Sequence, residues 1–216
     1  MCIRDSTIVA KEADGSFLLL CPHLTAEEVI AIVTANVIAD DVVATDETSA
    51  WGRWIVWGAA PAVAGAKLFP THRFGVEAWD VLTPPGAALP GEAGSREELE
   101  ALRLRAGVPA VPADCGANEF PQECGLEAWV SYTKGCYLGQ EVMARIQSMG
   151  SLRRILRRVS GSVTVGQELK TPEGKTAGVV RSAAGDAGLA LVSADLPEGA
   201  ELGGVRLGAP AVMPAR

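Results

Sequence analysis

Histidine is almost missing from this chain: only His23 and His72 occur in 216 residues, so chemistry that needs an imidazole base has two candidates. Neither has an acidic orienting residue close by in sequence, and both read as loop or surface residues. No stretch approaches the roughly 20 consecutive apolar residues that a membrane-crossing helix requires. The opening Met1 to Ser6 lacks the charged and apolar regions of a signal peptide and matches no periodic element. Cysteine is present but unpatterned. The five, at 2, 21, 115, 124 and 136, are odd in number and contain no Cys-x-x-Cys pair, which argues against a disulfide framework and a zinc knuckle. Positive charge is also short, with 19 Lys and Arg against 26 Asp and Glu and a net charge of −7. Such a field repels polyanions. These shortages lead to the expectation of a soluble protein in the reducing cytoplasm, with no membrane partner, no direct nucleic-acid partner and no bound metal.

What is present is enough to fold. Hydrophobic residues make up 48% of the chain, sufficient for a sizeable core. Phe17 to Cys21, after the turn-like Ala13-Asp14-Gly15-Ser16, reads as a strand reached through a hairpin. Thr25-Ala26-Glu27-Glu28 and Ser95-Arg96-Glu97-Glu98 are capping boxes and predict two helices, the second stopping near Gly107 and Pro109. Between them, Asp41 to Ala44, Arg53 to Trp57, Ala66 to Phe69 and Phe74 to Leu82 read as strands. Thr83 to Gly94, rich in Pro and Gly, is a hinge or loop. Cys115 to Gly125 reads as an irregular loop and Trp129 to Tyr132 as a short strand. Trp51, Trp54 and Trp57, three apart in a strand-rich region, are expected to pack the core. After Gly150, short strands alternate with glycine turns at Val163 to Val165, Ala177 to Val180, Gly188 to Val192 and Gly204 to Leu207, as in a small β-barrel. Leu152 to Val159 fits a helix and a strand equally.

Lys134-Gly135-Cys136-Tyr137-Leu138-Gly139-Gln140-Glu141 places a thiol between glycines ahead of a helical stretch, Glu141 to Ile146. Glycines permit a sharp turn and close backbone approach. A thiol at a helix N-terminus with an ammonium two residues away feels positive potential, which favours thiolate. The alternative stays open on spacing alone: Cys136 as a small buried hydrophobe, the commoner state of a lone cysteine. Arg145, Arg153, Arg154, Arg157 and Arg158 follow with no acidic residue between Val142 and Arg158. They form a candidate anion site, to be weighed against a solvated face.

This eight-residue motif resembles the signature of the YgfZ/GcvT-type folate-binding family, relatives of the glycine-cleavage T-protein. Leu104 to Pro109 is similar to the family's Ile/Leu-Glu-Ala-Gly-x-Pro segment. Phe120 to Glu123 with Gly125-Leu126 resembles its Pro-x-Glu-x-x-Leu stretch, and Ala177 to Val192 its C-terminal barrel. The resemblance covers roughly residues 100–195. It implies an α+β fold, with a folate-binding domain over residues 1–150 lacking its first portion and a C-terminal β-barrel over 151–216. It implies a tetrahydrofolate-type cofactor held by Lys134, Gly135, Cys136, Tyr137, Gly139, Gln140, Glu141 and Arg145, with Cys136 as the functional thiol. The implied role is an accessory one in iron-sulfur cluster assembly or repair, and through it in tRNA modification, with assembly proteins or client enzymes as partners. The alternative is a tetrahydrofolate-dependent aminomethyltransferase-like enzyme. Arg105 stands where the family commonly has glutamate, which counts against pterin recognition of the T-protein kind. A further possibility is an incomplete domain with an unpaired sheet edge.

Overall fold

The computed structural model describes residues 7–214 except 36, 117 and 138, so Cys2, the opening Met1 to Ser6, and Leu138 of the motif lie outside the described residues. The chain begins with a hairpin, β1 (Ile8–Lys11) and β2 (Phe17–Leu20), paired antiparallel. Its turn is closed by Asp14, whose Oδ1 accepts from the Ser16 backbone and hydroxyl at 2.9 and 2.7 Å. Helix α1 (Ala26–Thr34) starts on the expected capping box, with Glu28 N–H donating to Thr25 Oγ1 and Thr25 N–H to the Glu28 carboxylate. It buries none of its residues.

Strands β3 (Gly52–Trp57), β4 (Lys67–Thr71) and β5 (Ala78–Thr83) form an antiparallel sheet with β5 in the middle. Asp80 on β5 is completely buried, and Arg53 and Arg73 both pair with it. A buried carboxylate persists only with such partners. The tryptophans do not pack the core as expected: Trp54 is 47% and Trp57 39% exposed. α1 buries no side chain, and the two buried apolar clusters among the described residues draw only on Leu104 and later positions. Asp41 to Ala44 is not a strand.

Helix α2 (Arg96–Ala106) opens on the second capping box and closes at Gly107, whose φ of 74° is the left-handed C-cap conformation. The following segment wraps back onto the helix, because Arg103 donates to the Val108 carbonyl and to Asp114. A 3-10 turn over Pro121–Cys124 interrupts an otherwise irregular stretch. Trp129 to Tyr132 is not a strand: a 3-10 turn occupies Glu127–Trp129, and Val130 ends it. Helix α3 (Gln140–Met149) ends on Gly150, at φ 67°.

The remaining strands are β6 (Arg154–Gly161), β7 (Glu168–Lys170), β8 (Thr176–Ala184), β9 (Ala187–Ser193), β10 (Glu201–Leu202) and β11 (Val205–Pro210). They pair antiparallel in the order β10-β11-β6-β9-β8-β7 and curl into a small barrel. The ambiguous Leu152 to Val159 stretch is therefore largely β6. Val163 to Val165 is a connection rather than a strand. The barrel interior holds Val159, Leu169, Val180, Ala190, Val192, Leu202, Val205 and Leu207, each Leu or Val contributing about 1.5–3 kcal/mol on burial. A second cluster joins Leu104, Val108, Cys115, Cys124 and Leu126 to Leu156, Leu189, Leu191 and Met213, so α2 and the segment after it pack onto the barrel's outer side. The fold is α+β with a C-terminal β-barrel, as the resemblance implied. No described helix is long and apolar enough to cross a membrane.

Candidate functional site

The motif lies on a surface turn braced from below. Tyr137 O–H donates to the Ser131 carbonyl at 2.9 Å, and Lys134 N–H donates to the Ser131 hydroxyl at 3.1 Å. The Lys134 ammonium stands 4.7 Å from the centre of the Tyr137 ring, a cation–π arrangement. Gly139 has φ 88° and caps α3, with Met143 N–H donating to its carbonyl at 3.1 Å; a side chain there would be strained. At Gly135 an added Cβ would meet open space. Met143 is the fully buried anchor of α3. Gln122 ties this helix to the motif, its amide donating to the Tyr132 hydroxyl at 3.0 Å and to the Met143 carbonyl at 3.4 Å.

Cys136 is an exposed free thiol, so the reading of a small buried hydrophobe does not describe it. Helix α3 begins at Gln140, which places Cys136 before the cap rather than in the first turn, while Lys134 is directed at Tyr137. Gln140 and Gly139 are half-buried. Glu141 and Arg145 face solvent and pair at 3.1 Å one turn apart, an exposed contact of small energetic weight. The eight sequence-predicted residues thus share one surface strip from the turn to the first half of α3.

The arginine cluster separates into committed and uncommitted members. Arg145 pairs with Glu141 and Arg154 with the buried Glu123. Arg157 is buried, donating to the Gly208 and Leu196 carbonyls at 2.9 and 2.6 Å. A single anion site built from all five is therefore not what the chain forms. Arg153 and Arg158 have no ion-pair or side-chain hydrogen-bond partner among the described residues. Arg105, at the end of α2, is exposed and likewise unpaired.

Cys115 and Cys124 are completely buried and share one cluster. The hydrogen bond with Cys124, together with burial, pushes the Cys115 thiol well above its ordinary range, so both act as apolar filling. His23 and His72 are exposed. Among the described residues no three His, Cys, Asp or Glu converge as metal ligands. Two ion pairs fasten the Cys115 to Gly125 stretch to the barrel: Glu119 accepts from Arg181 at 2.7 Å and Glu123 from Arg154 at 3.4 Å. Sequence reasoning missed this clamp and the Gln122 bridge. The signal available was two glutamates and a glutamine crowded into an otherwise apolar loop.

Comparison with known proteins agrees with this architecture. The family described as CAF17, C-terminal beta-barrel domain, matches residues 142–213. The iron-sulfur cluster assembly factor IBA57, mitochondrial, of Homo sapiens is 33% identical over 144 residues, covering 61% of this chain and 40% of that protein. The tRNA-modifying protein YgfZ of Yersinia enterocolitica is 37% identical over 76 residues, covering 32% of this chain and 23% of that protein. The chain thus matches less than half the length of these curated relatives. Among solved structures, the glycine cleavage system aminomethyltransferase T from Bartonella henselae aligns with a TM-score of 0.70 at 16% identity, covering 96% of this chain and 71% of that one. That likeness establishes the fold. The barrel match, the flanking sequence matches and the shared architecture together support the YgfZ/GcvT-type family.

Proposed function

We propose that this chain is a folate-binding accessory protein of iron-sulfur cluster assembly or repair, acting through it on tRNA modification, with Cys136 as its functional thiol. The observation that carries the reading is the solvent-exposed Cys136 on a turn whose geometry is fixed by Tyr137, Ser131 and the Gly139 cap. An exposed thiol on a braced loop is available to a partner or a cluster, whereas a buried one is not. The names of the relatives, an iron-sulfur cluster assembly factor and a tRNA-modifying protein, support the same direction. A cytoplasmic setting, and iron-sulfur assembly proteins or client enzymes as partners, belong to this proposal.

The residue types around the turn are those that pair with a tetrahydrofolate. Gln140 and Glu141 carry the amide and carboxylate that pair with pterin N–H groups, and Lys134 and Arg145 carry charges that pair with the glutamate carboxylates. Gly135 and Gly139 leave the backbone open to close approach, and Tyr137 offers a ring. When bound, the folate would supply a one-carbon carrier. This chain's residues would bind and orient it beside the thiol.

Calorimetric titration of the wild type with tetrahydrofolate tests the reading, with Lys134→Ala and Glu141→Ala as variants. Binding that weakens about tenfold in either variant, a loss of about 1.4 kcal/mol, supports it. Absence of binding to the wild type removes the folate half of the proposal. One-carbon product formed with an aminomethyl donor would instead favour the aminomethyltransferase-like alternative.

A further inference from the structure

At the end of α2 opposite its capping box, the helix and the barrel line an open cleft of about 310 Å³. Leu104 and Arg105 line it from α2, Arg158 and Ser160 from β6, Asp186 from the turn between β8 and β9, and Gly208 from β11. Leu104, buried, supplies an apolar floor. The volume falls at the lower end of the range for small-ligand sites.

Arg158 is placed by backbone rather than by a charged partner. The pairing of β11 with β6 slips between Leu207 and Pro210, opposite Arg157 to Val159, and such bulges re-aim side chains. A Cβ at Gly208 would lie 3.3 Å from the Arg158 Cβ, and one at Gly107 would lie 2.6 Å from its Cδ and 2.8 Å from its Cγ. The Arg158 stem therefore runs over the left-handed cap of α2 through space left by two glycines. By contrast, Arg53, Arg73, Arg103, Arg145, Arg154 and Arg181 each pair with a carboxylate, and Arg96, Arg153 and Arg206, unpaired among the described residues, lie outside the cleft lining. Arg105 and Arg158 line the same cleft, and neither has an ion-pair or side-chain hydrogen-bond partner among the described residues.

We propose that this cleft binds a small phosphate monoester, its phosphate held by the Arg105 and Arg158 guanidinium groups. A carboxylate presents two oxygens and a single charge, enough for one guanidinium fork. A phosphate monoester near neutral pH carries between one and two negative charges on three acceptor oxygens, enough for two forks. The Ser160 hydroxyl adds a donor. Asp186, on the same lining, repels a second carboxylate and accepts from a hydroxyl or amine on the ligand's organic part, which disfavours dicarboxylates. The assignment does not rest on the folate reading.

The test is titration of the full chain with inorganic phosphate and with glycerol 3-phosphate, followed by phosphorus NMR, with glutarate added as a competing dicarboxylate whose binding is read from displacement of the ester. Saturable binding of both phosphates, tighter for the ester, is expected. Arg105→Gln and Arg158→Gln should each weaken it about tenfold or more, while Arg206→Gln, an exposed arginine on β11 outside the lining, should leave it unchanged. Arg158→Lys keeps the stem over Gly107 and the charge, and should lose less than Arg158→Gln; unchanged thermal unfolding in these variants separates binding from folding. No saturation by either phosphate, equal binding by the Arg105→Gln/Arg158→Gln double variant, or glutarate binding as tightly as the ester would each overturn the assignment.

Discussion

Arg103 and Asp114 meet at 2.6 Å with both side chains sealed from solvent, and this pair shapes the segment that leads from α2 to the motif. The same guanidinium donates to the Val108 carbonyl and pairs with Glu100, while Asp114 Oδ2 also accepts from Ala110 N–H at 2.8 Å. One arginine thus gathers the helix end and the returning chain. Asp114→Ala is expected to lower stability by about 1–3 kcal/mol in urea unfolding, because the buried guanidinium keeps Glu100 but loses its buried partner, and Ala110 N–H loses its acceptor. Replacing both residues, as Arg103→Met with Asp114→Leu, should recover a large part of that loss. Equal losses from the single and double variants would show that the pair is not the source.

Gly125 holds the segment that leaves β11 against the same loop. Its φ is 70°, Met213 N–H donates to its carbonyl at 2.9 Å, and a Cβ there would overlap the Ala211 carbonyl. Gly125→Ala combines a strained backbone with a clash against main chain, and about 2–5 kcal/mol of destabilisation is expected from thermal or denaturant unfolding. Gly135→Ala, where added atoms meet open space, should change stability by less than about 1 kcal/mol.

The cysteines divide by accessibility. Iodoacetamide on the folded protein should label Cys136 first and leave Cys115 and Cys124 untouched until unfolding, as read by peptide mapping. Early labelling of Cys115 would contradict the buried thiol pair.

Cys115 also gives a pH dependence of stability. Its folded-state ionisation is pushed upward, first by the Cys124 hydrogen bond and then by burial. Below the ordinary thiol value of about 8.5 the thiol is neutral folded and unfolded, and the full stability is present. As pH rises past that value the unfolded chain loses a proton that the folded chain keeps, so stability falls by up to about 1.4 kcal/mol per pH unit. Unfolding midpoints measured between neutral pH and about pH 10 should decline, and Cys115→Ala should flatten the decline.

Much of this was legible where the cause is local. Both capping boxes were readable because their partners sit three residues apart, and β8, β9 and β11 because glycine turns space them, whereas β6 stayed ambiguous and the short β7 and β10 carried no signal. The motif was visible through resemblance. Long-range pairings were not: Asp80 on β5 meets Arg53 on β3, and Arg105 shares a cleft with Arg158 only because α2 packs on the barrel. Period-2 alternation could say that Trp54 and Trp57 take different faces, but not that both would stay half-exposed. A local pattern carries no information on which layer covers a sheet.

The most direct test of the account is complementation of a strain that lacks its own YgfZ-type protein and has low activity of iron-sulfur enzymes. Wild type is predicted to restore that activity, with Cys136→Ala and Cys136→Ser both failing at equal protein levels. Full restoration by Cys136→Ala would contradict the role assigned to the exposed thiol.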